Sequence, residues 1–158
     1  MDPGPGKSGC VGSGKMAVGS RFRAERQVLV GRSVYQFAED GRGFMWVSTG
    51  NGVVRYNLAT DTVQDIFVYD RHNVHSLINN FTTDLLITDL EDGFVVWAGS
   101  RLGITRFLCR EDGSVRDILR TGRGHSEDDL VGEFVAVLLQ DSKGRVWVST
   151  LGGGLNKL

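Results

Sequence analysis

EDGRGFMWVSTGNGVVRYN, Glu39 to Asn57, decides how this chain is read, because the chain says nearly the same thing twice more. The echoes are EDGFVVWAGSRLGITRF, Glu91 to Phe107, and DSKGRVWVSTLGGGLNKL, Asp141 to Leu158. Aligned on Trp46, Trp97 and Trp147, the copies lie 51 and 50 residues apart. A fixed period of this length marks a repeat architecture. The copies agree at further positions. An acidic residue stands six before each Trp (Asp40, Glu91, Asp141) and a hydroxyl three after (Thr49, Ser100, Thr150). A glycine stands six after (Gly52, Gly103, Gly153), and Gly152-Gly153-Gly154 gives the third copy one extra residue before its next strand.

Each copy parses into short strands. The first gives Val34–Phe37, Phe44–Thr49, Val53–Asn57 and Val63–Val68, with turns at Asp40-Gly41, Asn51-Gly52 and Thr60-Asp61. Asn-Gly between apolar runs predicts a type I′ hairpin turn, which needs positive φ twice. The second gives Thr83–Thr88, Phe94–Gly99, Ile104–Leu108 and Val115–Leu119, turning at Asp92-Gly93 and Asp112-Gly113. The third gives Phe134–Gln140, Arg145–Thr150 and Gly154–Leu158, and no fourth strand. Four antiparallel strands in about 50 residues is the pattern of a β-propeller blade. The expected fold is therefore all-β, a partial β-propeller of three blades at about 34–70, 83–120 and 134–158, the third incomplete. In WVST neither face is clearly polar, as suits a strand packed between neighbouring blades. The Trp residues are expected to wedge between blades, provided each N–H finds an acceptor. The repeated acidic residues are expected to bond nearby backbone N–H groups in their turns.

The composition is that of an ordinary globular chain. Of 158 residues 41% are hydrophobic and 23% charged, and the net charge of −1 gives no pull towards nucleic acid. Residues 1–33 are different: Lys7, Lys15, Arg21, Arg23, Arg26 and Arg32 face only Asp2 and Glu25, and nothing alternates. A flexible basic tail is expected there, with residues 34–158 forming the propeller. Gly9 to Met16, GCVGSGKM, imitates a P-loop, but Met16 replaces the Mg²⁺-binding hydroxyl and no strand precedes it. The longest apolar run, Val135 to Leu139, is too short to span a bilayer, and the N-terminus has no apolar segment of a signal peptide. Cys10 and Cys109 follow no spacing rule, so no disulfide framework is expected.

Signs of catalysis or metal binding are few. His72 and His75 share a loop and His125 lies in its counterpart, without further ligands suitably spaced. Glu127, Asp128 and Asp129 read as a solvated acidic run, a cation site being the minor alternative. Ser48 and Ser149 lie in strands, outside any nucleophile elbow. No catalytic residue, metal or cofactor is assigned. Two long connections, Asp70 to Thr82 and Thr121 to Glu133, link the copies. They fall on one face of a propeller, where binding loops sit.

Over residues 34–158 the chain resembles the two-component regulator propeller repeat family. The resemblance rests on the three Trp-centred stretches, on HSLINNFTTDLLITDLED and, more loosely, on SEDDLVGEFVAVLLQD. Two copies have Ser where the family has Gly in its W-[IV]-G-T phrase, and the middle copy reads Ala-Gly-Ser. The resemblance implies a non-catalytic sensor module, the input of a bacterial histidine kinase, response regulator or diguanylate cyclase, often outside the membrane and hence periplasmic. Its implied partners are a small molecule such as a carbohydrate, or a downstream signalling domain. The alternatives are an interaction module without its own ligand and, behind it, a propeller enzyme such as a lyase. Fold analogy alone does not choose among them. Three blades do not close a ring, so the chain is expected to be a piece of a longer protein or to close by forming a homo-oligomer.

Overall fold

The computed structural model describes residues 33–122 and 130–158. The P-loop-like run, nearly all of the basic tail, Cys10, His125 and the acidic run Glu127–Asp129 lie outside them. The described residues form eleven strands in three antiparallel sheets. The first sheet runs β1 (Val34–Glu39), β2 (Phe44–Thr49), β3 (Gly52–Asn57), β4 (Thr62–Phe67). The second runs β5 (Thr82–Leu90), β6 (Gly93–Ser100), β7 (Gly103–Arg110), β8 (Val115–Thr121). The third has only β9 (Val135–Gln140), β10 (Val146–Thr150) and β11 (Gly154–Lys157). Each sheet is a meander whose neighbours in sequence are neighbours in space. β1 lies beside β5 and β5 beside β9, so the first strands gather on one side, as around a propeller axis. The all-β partial propeller with an incomplete third blade is the fold of the described residues.

Packing follows from the strand positions. β2 and β3 are buried on both faces for most of their length, whereas the outer β4 alternates exposed and half-buried residues. The first and second sheets share a core of Trp46, Val53, Phe94, Val96, Phe107 and Cys109, closed by Leu77 from the connection between them. Trp46 stacks on Phe67 at 5.8 Å, and both rings meet Phe107, at 5.2 and 4.8 Å. The second and third sheets share Ile104, Val135, Leu138, Val146 and Val148, flanked by Leu86 and Trp97. Polar bonds cross the same seams. Thr82 Oγ1 accepts the Thr49 N–H at 3.0 Å and donates to Thr49 O at 2.9 Å. Asp84 accepts the Leu138 N–H at 2.7 Å.

Asp40-Gly41 and Asp112-Gly113 lie in turns as expected, but two hairpin turns sit one residue earlier than the Asn51-Gly52 and Asp92-Gly93 signals indicate. Thr49 pairs with Gly52 and Leu90 with Gly93, so the loops are Gly50-Asn51 and Glu91-Asp92. Asn51 has no positive φ, and no type I′ turn is centred on Asn51-Gly52. The Thr49 hydroxyl accounts for this. It accepts the Asn51 N–H at 3.1 Å and donates to Gly52 O at 2.7 Å, closing the turn around Gly50-Asn51.

Candidate functional site

The repeated acidic residue and Trp perform one task in the first and third sheets. Asp40 Oδ1 accepts the N–H groups of Arg42 and Phe44 at 2.8 and 3.1 Å, and Oδ2 accepts the Trp46 indole N–H at 3.1 Å. Asp141 does the same with the N–H groups of Lys143 and Arg145, at 2.9 and 3.0 Å, and with the Trp147 indole at 2.8 Å. One carboxylate thus closes a turn and satisfies a buried or half-buried indole. The Trp147 indole N–H, together with the Arg145 guanidinium and the two backbone N–H groups, holds the Asp141 carboxyl far below the usual carboxylate range. The middle sheet differs. With Leu90 paired to Gly93 there is no long turn for Glu91 to close, and the Trp97 indole donates instead to Thr88 Oγ1 at 2.9 Å.

The hydroxyls and glycines close the next turn. Thr49 and Ser100 donate to the carbonyls of Gly52 and Gly103, at 2.7 and 2.8 Å. Thr150 donates to Val131 O at 2.6 Å. A Cβ on Gly52 or Gly103 would fall 2.2 Å from Phe67 O or 2.3 Å from Thr121 O, on the neighbouring outer strand. At Gly153, in the sheet that has three strands among the described residues, it would fall 1.8 Å from Val131 O. The third turn has the extra residue, since Thr150 pairs with Gly154. These contacts serve architecture and leave no reactive group exposed. Trp46 is fully buried, while Trp97 and Trp147 are half-buried.

A cation opposite each Trp is a feature the repeat reading missed. Arg55 and Arg106 pair across the ladder with Trp46 and Trp97, their guanidinium carbons 5.7 and 5.6 Å from the rings. Lys157 takes the same register opposite Trp147. The signal was present: the basic residue stands nine after Trp twice, and ten after it where the turn is longer.

The surface with the character of a binding site lies at the rim where the connections enter the sheets. Ser33, Phe81 and Phe134 precede β1, β5 and β9. Their carbonyls accept the N–H groups of Gly50, Arg101 and Leu151, at 2.9, 3.3 and 2.9 Å. Entry segments and turns are thereby pinned side by side in all three sheets. Between the second and third lies an open cleft of about 680 Å³, lined by Asn79, Arg101, Leu102, Glu133, Phe134 and Leu151 among others. None of the nine repeated Trp, hydroxyl and glycine positions lines it. The Asp70–Ser76 part of the first connection is braced by Arg120, whose Nε donates to Ser76 O at 2.7 Å. His75 Nδ1 lies 2.9 Å from Asp117 Oδ1, and His72 Nε2 accepts from Arg71 at 2.8 Å. Among the described residues no three His, Cys, Asp or Glu side chains are grouped to hold a metal. Burial pushes the Cys109 thiol up to about 12, which leaves it protonated and unreactive. No helix among the described residues is long and apolar enough to cross a membrane.

The sequence signature of the family described as "Two component regulator propeller" matches residues 29–51 and 129–152. The matched stretches hold the first and third Trp copies up to the turn after the hydroxyl. The copy with the short Glu91-Asp92 loop lies outside the matches. No curated protein matches the chain. Among solved structures, the extracellular domain assigned to a hybrid two component system of B. thetaiotaomicron is 26% identical, with a TM-score of 0.55. The match covers 80% of this chain and 16% of that one. The extracellular domain assigned to a one component system of the same organism is 18% identical, with a TM-score of 0.34, over 80% of this chain and 22% of that one.

Proposed function

We propose that this chain, which carries two-component regulator propeller repeats, is part of the sensing portion of a signalling protein and acts outside the cytoplasm. The observation that carries this is the match to an extracellular sensor-system domain along 80% of the chain, with the same repeat signature found twice. On this reading the chain binds and does not catalyse. Its ligand, a small molecule such as a carbohydrate, is taken at the rim of connections and turns, and a signalling domain elsewhere reads the outcome. The test is thermal unfolding against a panel of neutral and charged sugars and organic acids. A ligand that binds the folded state raises Tm in proportion to the logarithm of its concentration. No shift with any member, alongside a specific protein partner, would sink the ligand-sensing reading in favour of a pure interaction module.

A second observation favours association of the third sheet with a further blade. On its outer face Val137, Leu139 and Leu155 are 54, 59 and 66% exposed, in register with Trp147 and Ser149. The corresponding faces of the first two sheets are covered by the next sheet. We propose that another blade of the same repeat covers this face, from the same longer protein or from a second copy. Light scattering separates the sources: a discrete dimer indicates a second copy, and a monomer or soluble aggregate indicates a blade of a longer chain.

A further inference from the structure

We infer that the rim cleft between the second and third sheets binds an organic carboxylate with an apolar body, and that Arg101 receives its charge. The inference deepens the ligand-sensing reading above and rests on it. Arg101 occupies the turn position filled by Gly50 in the first sheet and Leu151 in the third. All three make the same backbone bond to the entry segment, so the fold asks for no charge there.

Its guanidinium is held in place but not neutralised. The guanidinium carbon lies 5.4 Å from the Phe81 ring and 5.8 Å from the Phe134 ring. Among the described residues no carboxylate or carbonyl pairs with it, whereas Arg42, Arg55, Arg116 and Arg145 each have a carboxylate partner. Both rings lie within cation–π reach of the group, and its N–H donors remain for an incoming acceptor. A planar fork of N–H donors suits a carboxylate, which accepts two parallel charge-assisted bonds. The rest of the cleft defines the remainder of the ligand. Leu102, Leu151 and Phe134 offer an apolar wall, and Asn79 an amide. Glu133 also lines the cleft.

The isotopically labelled full chain is titrated with benzoate and, separately, with its uncharged isostere benzamide at fixed ionic strength. The Arg101 Nε–H resonance and the amides of Leu102 and Leu151 are followed. Saturable shifts are expected with benzoate, and binding weaker by roughly tenfold or more with benzamide, since one charge-assisted pair is lost. Arg101→Ala is expected to abolish the preference and Arg101→Lys to keep part of it. Acetate, which has the charge without the ring, is expected to bind more weakly than benzoate. Equal binding of benzoate and benzamide, or unchanged benzoate binding by Arg101→Ala, overturns the carboxylate assignment while leaving a ligand site in the cleft. Absence of saturable shifts at these residues with every probe also overturns it. The sensing reading then still stands or falls on the Tm panel, whose neutral sugars do not need Arg101.

Discussion

The first and third sheets carry the same clamp, an Asp carboxylate accepting the indole N–H six residues on, at 3.1 Å from Trp46 and 2.8 Å from Trp147. Their surroundings differ. Trp46 is sealed by Phe67, Phe107 and the second sheet, whereas Trp147 is half-buried beside the exposed Leu139 and Val137. The clamp is therefore a local device that a sheet makes for itself, and burial is what a neighbouring sheet adds. A blade can have all its hydrogen bonds in order and still lack most of the hydrophobic stabilisation of its largest side chain.

The difference can be broken most forcefully at the indoles. Trp46→Ala is expected to cost about 3–5 kcal/mol in urea unfolding, the range for removing a buried Trp. Trp147→Ala should cost no more than about 1.5 kcal/mol, because much of its area is already wet. Equal costs would mean that the open face is covered in solution. The acceptors come next. Asp40→Ala leaves two half-buried backbone N–H groups and a buried indole N–H without their acceptor, and should cost about 2–3 kcal/mol. Thr88→Val removes a single acceptor from the half-buried Trp97 and should cost about 1 kcal/mol. If Thr88→Val proved as costly as Asp40→Ala, the carboxylate would have no special part in the turn.

The mildest test is one of pH. Asp141 has its folded-state pKa lowered, first by the Trp147 indole and then by Arg145 and the backbone N–H groups of its turn. Its contribution is fully present above the unfolded carboxyl value, about 4, and is lost as pH falls through the depressed folded value. Asp141→Asn should therefore flatten the loss of stability below about pH 4 and leave the profile above it parallel to wild type. An unchanged acid slope in the variant would show that the clamp does not hold in solution.

The repeat was open to view in the sequence because its largest residues recur in register: three Trp, three hydroxyls and three glycines pointed to stacked sheets. The Asp turns were legible for the same reason. The Thr88 acceptor was not, since it is brought to Trp97 by strand pairing that shortens the Glu91 turn. The Asn51-Gly52 signal misled because the Thr49 side chain closes that turn one residue earlier. Arg101 carries no local mark, and its setting between Phe81 and Phe134 exists only once two sheets stand side by side.

Cys109 lies in the seam between the first and second sheets with its thiol buried and protonated. An alkylating reagent can reach it only when those sheets part. In a Cys10→Ser background the labelling rate becomes a clock for that opening, read under native conditions without denaturant. A bound ligand that slowed the clock would show that the rim and this distant seam breathe together.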